Sequence, residues 1–139
     1  MGRGHMTLQQ RRAIDREFYS YERNKRQAAE YVASHAFDNF SFDFGAPRVW
    51  TSQKNTAERR VIEEIDGAEQ KWRWCKVFEL TFNKFRWDKK DELMTKKYIE
   101  QKAALQVARE LHVDRATYFR WLDEVRATAL QWAQELGLL

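Results

Sequence analysis

The stretch from Val107 to Trp121, VARELHVDRATYFRW, constrains the fold more than any other part of this 139-residue chain. Its apolar spacing predicts two short helices joined by a tight turn. A helix pair of this kind needs a small residue where the helices cross, and Ala108 occupies that position. The first helix is predicted from Ala103 to His112. The apolar residues predicted to face inward from this helix and from the turn are Val107, Leu111 and Val113.

The second helix of the pair is predicted to begin after Asp114. A carboxylate at the N-cap accepts backbone N–H bonds and is favoured by the helix dipole. The predicted inner face of this helix consists of Tyr118, Trp121, Leu122 and Val125. With that face buried, the residues that point outward in the first half of the helix are Arg115, Ala116, Phe119 and Arg120, with Thr117 at the edge.

These outward residues are the predicted DNA-binding residues. In a recognition helix they occupy the positions that reach base edges in the major groove. An Arg side chain can pair bidentately with guanine, whereas Ala116 and Phe119 can contact thymine methyl groups. Phosphate contacts, which position a protein without reading sequence, are predicted for three residues of the preceding helix: Lys96, Lys97 and Lys102.

An ordinary helical hairpin over residues 103–126 remains open as an interpretation of the same pattern. His112 occupies a turn position where many helix-turn-helix motifs carry Gly, because that residue often has positive φ. Residues 103–139 also hold about as many acids as bases, which favours the hairpin. Three of those acids follow the Arg115–Arg120 segment, which favours DNA binding: Asp123, Glu124 and Glu135.

The N-terminal third is predicted to contain a helical arm and an aromatic loop. Residues 7–36 form the arm, and its heptad-spaced stripe consists of Ile14, Phe18, Tyr21, Lys25, Ala28, Val32 and His35. Residues 37–50 contain the only Pro, Pro47, just after Gly45, so regular helix must stop there. Alternating aromatic residues predict a loop pinned to the core, or an exposed patch for a protein partner: Phe40, Phe42 and Phe44.

A long central helix is predicted over residues 51–88, with Thr51 or Ser52 as its N-cap. Gly67 is expected to bend or weaken this helix, and Cys75 is expected to be buried as a small apolar residue.

Residues 89–139 form the C-terminal unit that contains the helix-turn-helix. Its first helix is predicted to be capped by Asp88 or Asp91, and the inner face of that helix consists of Leu93, Met94, Tyr98 and Ile99. The predicted fold class is therefore all-α, with an N-terminal helical arm, a long central helix and a C-terminal helix-turn-helix.

The composition argues against several classes of function. No run approaches the roughly 18 consecutive apolar residues that a membrane helix needs, and no apolar signal segment follows the N-terminus. Residues 1–6, MGRGHM, resemble a vector-derived segment. His35 and His112 lie far apart in the sequence and no glycine-rich phosphate loop is present, so neither an enzyme nor a cofactor or metal is expected.

Charge and cysteine usage point to a compartment and permit a partner. The formal net charge of +4 permits nucleic-acid binding without requiring it. The single cysteine cannot form an internal disulfide, which fits a reducing cytoplasm.

An A-x-x-L-x-V-x-x-x-T-Y-x-R-W pattern runs through the predicted helix pair, and its residues are Ala108, Leu111, Val113, Thr117, Tyr118, Arg120 and Trp121. A closing A-x-E-L-G-L follows, with Ala133, Glu135, Leu136, Gly137 and Leu138. On these motifs the segment from Glu92 to Leu139 resembles the end of the RinA/ArpU-type phage transcriptional regulators. The N-terminal 90 residues match that family only in general layout.

The resemblance implies a specific function. Regulators of that family activate late genes of phages and related mobile islands in Gram-positive hosts, and their DNA-binding half is similar to region 4 of sigma factors. It thus implies a sigma region 4-like domain that binds double-stranded promoter DNA and activates the host RNA polymerase in the host bacterial cytoplasm. The residues to which it gives this role are Arg115, Ala116, Phe119 and Arg120.

The heptad stripe of the arm makes a homodimer a further prediction. Two other functions remain open. One is a small terminase subunit for phage DNA packaging, which would assemble into rings. The other is a helical adaptor that binds a protein instead of DNA.

Overall fold

The computed structural model describes residues 6–34 and 56–139, and it describes the side chains of residues 6–33 and 67–139. Within these ranges the chain is helical and contains no strand, which confirms the predicted all-α class. Several predictions concern residues outside the described part: His35, the aromatic loop at 37–50 with Phe40, Phe42 and Phe44, and the cap at Thr51 or Ser52.

The described residues form six α-helices and one π-helical turn. These are α1 Leu8–Tyr19, α2 Tyr21–Ser34, α3 Thr56–Lys84, α4 Lys90–Met94, the π-helical turn Thr95–Ile99 that continues α4, α5 Ala104–Glu110 and α6 Arg115–Glu135. Helix α3 continues unbroken through Gly67. Helix α6 packs on α3 and α1, and α5 packs on α6.

The N-terminal arm consists of two helices, whereas the sequence predicts one. Helix α1 begins with a capping box, in which the Thr7 hydroxyl accepts the N–H of Gln10 and the Gln10 side chain accepts the N–H of Thr7. The arm divides at Ser20, which has φ −95° and ψ 8°. Serine is a weak helix former, so this is a favourable place for the helix to be interrupted.

The arm packs on α3 through part of its predicted stripe. Phe18 meets Phe78 edge to face at 5.0 Å, and Tyr21 stacks on Phe78 at 4.2 Å. Ile14, Phe18 and Ala28 are buried, whereas Lys25 and Val32 of the same stripe are exposed. The chain itself therefore covers the stripe at Ile14, Phe18 and Ala28, and the homodimer stays a prediction.

Cys75 is buried in the contact between α2 and α3, as the sequence predicts. Its Sγ lies 3.8 Å from the Tyr21 carbonyl oxygen. Burial raises the pKa of the Cys75 thiol to about 12, so the side chain stays a neutral thiol at ordinary pH. Among the described residues, no group of three or more His, Cys, Asp or Glu side chains could hold a metal ion, and no described helix has the length and apolar character to cross a membrane.

The first helix of the C-terminal unit has the predicted inner face and a different start. Leu93, Met94 and Tyr98 are buried, and Ile99 packs against the core. The predicted aspartate cap is wrong, because α4 follows Lys89, which has φ 59° and caps no N–H with its side chain. Asp91 instead accepts the N–H of Trp87 at 3.1 Å and holds the turn that precedes α4.

Candidate nucleic-acid interface

The turn between α5 and α6 closes through a Schellman motif. The N–H of Val113 donates to the Ala108 carbonyl at 3.0 Å, and the N–H of His112 donates to the Arg109 carbonyl at 3.2 Å. His112 has φ 59°, a left-handed conformation. This is the conformation expected at the turn position where many helix-turn-helix motifs carry Gly. The two backbone bonds fix the direction in which the chain leaves α5.

Asp114 starts α6 as predicted. Its Oδ1 accepts the N–H of Thr117 at 2.8 Å. Hydrogen bonding from the Thr117 side chain and backbone lowers the pKa of the Asp114 carboxyl. The group therefore stays charged at the helix end where the dipole favours a negative charge.

The inner faces of the two helices meet as predicted. The buried residues of this contact are Val107, Ala108, Leu111, Tyr118, Leu122 and Val125, and the half-buried ones that pack against them are Val113 and Trp121. Burial of this face fixes the rotation of α6 about its own axis. The opposite face of its first half must then point to solvent.

We call the predicted DNA-binding residues of this helix, Arg115, Ala116, Thr117, Phe119 and Arg120, the α6 surface. All are exposed except Thr117, which is half-buried at the edge. The Phe119 ring is 39% exposed and lies 5.0 Å from the Tyr118 ring, and the Arg115 guanidinium lies 5.5 Å from the Phe119 ring. In the described part of the chain, no carboxylate lies within ion-pair distance of Arg115 or Arg120, although the Arg120 charge helps to lower the pKa of the Asp114 carboxyl. The α6 surface thus presents two cations and an apolar ring.

The three lysines predicted as phosphate contacts are half-buried instead of lying on the outer side. Lys96 and Lys102 both donate to Oε1 of Glu110, at 2.7 and 2.8 Å. Lys97 donates to the Tyr19 hydroxyl at 2.8 Å and therefore contacts α1. The structure does not bring these lysines together with the α6 surface as free cations, and their contact with phosphates stays a prediction.

The cluster of Glu110 with Lys96 and Lys102 predicts that the stability of the protein decreases in acid. Hydrogen bonds from Lys102 and Lys96 lower the pKa of the Glu110 carboxyl from 4.5 to about 2. A lowered folded-state pKa means that this carboxylate stabilises the fold above about pH 4.5 and loses its contribution as the pH falls towards 2. We expect Glu110→Gln to have a lower Tm than wild type at neutral pH, and the difference to shrink across that acid range.

Thermal unfolding followed by circular dichroism at several pH values would test this expectation. Glu30→Gln is the matched control, because it removes an exposed carboxylate of α2 that has no ion pair within the described residues. A Tm difference for Glu110→Gln that stays constant with pH would contradict the role of this carboxylate.

The left-handed turn residue gives a second prediction. Replacing His112 by Gly should raise the free energy of unfolding by about 1 kcal/mol, because Gly adopts positive φ without the Cβ clash that other residues incur. The His112 side chain is exposed, so little packing is lost. Urea denaturation would measure the change. His112→Ala keeps the Cβ, so its free energy of unfolding should not rise above that of wild type. Equal free energies of unfolding for His112→Gly and His112→Ala would contradict the prediction.

Sequence reasoning missed the contacts that hold α6 in place. The Arg126 guanidinium binds the Asp15 carboxylate through Nε at 3.1 Å and Nη2 at 2.6 Å. The Tyr98 hydroxyl donates to the same carboxylate at 2.7 Å. Asp15 thus joins α1, the π-helical turn and α6. The sequence patterns also gave no indication of Arg109, an exposed cation in the last turn of α5.

Comparisons with protein families, with curated proteins and with solved structures find no match for this chain. Function must therefore be inferred from the α5–α6 pair and from the residues around it.

Proposed function

We propose that this protein is a sequence-specific DNA-binding regulator of transcription, and that the first half of α6 enters the major groove. The observation that supports this most is the α6 surface itself, where two unpaired Arg side chains flank an exposed Phe. The opposite face of the helix is buried, and the Asp114 cap and the α5–α6 turn fix its start. A helix presented in this way matches the recognition element of helix-turn-helix proteins.

The α6 surface offers two rows of readout groups. Arg115 and Phe119 are four residues apart, and so are Ala116 and Arg120, so each row combines one Arg with one apolar side chain. Four residues span about 6 Å along an α-helix, which is close to two base-pair steps. Each row therefore suits a guanine, contacted by Arg, near a thymine, contacted through its methyl group.

Phosphate contacts are expected beside these rows. Arg109 is exposed at the end of α5 and has no ion pair within the described residues, so it can bind a phosphate without losing a partner. Lys96 would have to exchange Glu110 for a phosphate oxygen, and Lys102 would have to exchange Glu110 or Glu100. That exchange replaces one charged hydrogen-bond acceptor by another and leaves neither lysine unpaired, but it removes the partners of the Glu110 carboxylate.

The wider biological role rests on the resemblance of residues 92–139 to the RinA/ArpU-type phage regulators. We propose promoter DNA as the target, activation of the host RNA polymerase as the outcome, and the host bacterial cytoplasm as the location. A homodimer would place two α6 helices on two half-sites about one helical turn apart.

Selection of bound duplexes from a random-sequence DNA library tests the proposal, followed by measurement of affinity against salt on the selected duplex. A defined motif with binding that weakens steeply as salt rises would support a sequence-specific DNA-binding protein. Salt-sensitive binding without an enriched motif, from a ring-shaped assembly in native mass spectrometry, would instead indicate a packaging subunit. Absence of DNA binding at low salt would indicate a protein-binding adaptor.

A further inference from the structure

Trp87 has the most exposed large apolar side chain in the described part of the chain, at 86%. It lies between α3 and α4, and its φ is 70°. A positive φ at a bulky residue other than Gly is a backbone outlier, and such strain is concentrated at functional sites. Since the indole gains no burial from this conformation, packing against the described residues does not explain why a Trp occupies the position.

Three cations lie near this indole in the sequence. Lys84, Arg86 and Lys89 are exposed and form no ion pair with any described residue, and the Arg86 guanidinium lies 5.3 Å from the Trp87 ring. Asp88, the one acid within this segment, pairs with Lys90 at 3.0 Å, and Asp91 beyond it accepts the Trp87 N–H while keeping its charge. The segment 84–89, which we call the α3–α4 turn, therefore presents an exposed indole and three cations without an ion pair in the described structure.

The α3–α4 turn borders the α6 surface. The Lys90 ammonium, directly after the turn, bonds to Oε2 of Glu124 at 2.9 Å and lies 5.7 Å from the Trp121 ring. Glu124 is one helical turn after Arg120, so the two share a face of α6. This ion pair fixes the turn next to the end of the α6 surface. The acids of α6 on that border are Glu124, which shares the Lys90 ammonium with Asp88, and the exposed Asp123.

We propose that the α3–α4 turn is a second DNA contact, in which Trp87 packs against the sugars or base edges that flank the site bound by α6. Arg86 and Lys89 neutralise the phosphates on either side of the indole. This inference rests on the proposed function. Duplex DNA fits the turn better than a protein surface does, because an apolar ring among unpaired cations matches an apolar sugar or base edge between phosphates.

The backbone strain makes a discriminating test possible. Replacing Trp87 by Gly removes the indole and relieves the positive φ, so this variant should unfold at a higher Tm than wild type and yet bind DNA more weakly. We expect affinity for the selected duplex to fall roughly tenfold, because burial of a large apolar side chain contributes a free energy of that order. A loss of affinity together with a gain of stability cannot arise from misfolding.

Gln101→Gly is the matched control. Gln101 also has a positive φ, 56°, and is exposed in the turn before α5. This variant should gain stability in the same way, because Gly relieves the same backbone strain. It should keep its affinity for DNA, since it removes neither an aromatic ring nor a charge.

The cations give an independent measurement. Arg86→Gln combined with Lys89→Gln should lower the slope of log affinity against log salt by about two, because each phosphate contact contributes about one. Trp87→Gly should leave that slope unchanged.

Three outcomes would overturn the second contact. The first is unchanged DNA affinity of Trp87→Gly together with an unchanged salt slope of the Arg86 and Lys89 variant. This first outcome leaves the proposed function intact if the double variant Arg115→Ala with Arg120→Ala no longer binds the duplex. The second is the same unchanged DNA affinity with weaker binding of Trp87→Gly to purified bacterial RNA polymerase, which would make the turn a protein-binding surface. The third is absence of DNA binding by the wild-type protein, which would overturn the proposed function as well.

Discussion

Arg115→Ala combined with Arg120→Ala is expected to weaken binding to the selected duplex about 30-fold or more, while Tm stays nearly unchanged. Each bidentate Arg–guanine pair contributes about 1 to 3 kcal/mol of discrimination, and the double variant removes two. Stability should be unaffected, because both side chains are exposed and lack an ion pair in the described part of the chain. Fluorescence anisotropy with a labelled duplex would measure affinity, and circular dichroism would measure Tm.

Arg23→Ala combined with Arg26→Ala is the control for charge alone. Both residues are exposed on α2, and their removal lowers the net charge by the same two units. This control should bind the duplex nearly as well as wild type and keep its sequence preference. Equal losses for the two double variants would mean that charge alone accounts for the effect of Arg115 and Arg120, and not base recognition.

The largest effect on stability is expected from Arg126→Ala, which should lower the free energy of unfolding by about 3 kcal/mol. The Arg126 side chain is only 12% exposed and that of Asp15 only 23%. Removal of the guanidinium leaves the Asp15 carboxylate poorly solvated, with the Tyr98 hydroxyl as its remaining partner in the described structure. Guanidinium chloride denaturation would give the difference in free energy.

A double-mutant cycle would assign that loss to the ion pair. Asp15→Ala combined with Arg126→Ala should be more stable than the sum of the two single effects implies, because the double variant leaves no unpaired charge. Additive losses would show that Asp15 and Arg126 stabilise the protein independently of each other.

Among the parts of the fold that depend on neighbouring residues, the sequence predicts the α5–α6 pair correctly and the cap of α4 incorrectly. The α5–α6 pair follows from the spacing of Leu111, Tyr118 and Leu122, and the start of α6 follows from Asp114, which caps an N–H three residues away. The cap predicted for α4 is wrong for a local reason as well. A left-handed Lys89 occupies the cap position, and Asp91 turns back to the N–H of Trp87.

The parts that depend on distant residues could not be predicted. Asp15 and Arg126 are 111 positions apart, and nothing in the spacing of either helix pairs them. The sequence predicts Lys96 and Lys102 as free cations of an outer face, whereas in the structure both donate to Glu110. Burial and charge pairing among distant residues are properties of packing, so helical periodicity does not specify them.

Trp87 shows a different limit of sequence reasoning. Its neighbours suggest only the end of a helix, and a Trp after a long amphipathic helix would ordinarily be assigned to the core. Its exposure and its positive φ are visible only in the structure. These two properties make it the residue of the α3–α4 turn that most needs a functional explanation.

The π-helical turn at Thr95–Ile99 has a consequence for how relatives of this chain would align. The Glu100 N–H donates to the Thr95 carbonyl five positions earlier, so this turn holds one residue more than an α-helical turn. Successive residues of an α-helix lie about 100° apart around the helix axis. A relative without the extra residue is therefore expected to show a single-position gap here. An ungapped alignment of the two chains would be shifted by one position throughout α5 and α6, so each residue there would be aligned with the wrong residue of the relative.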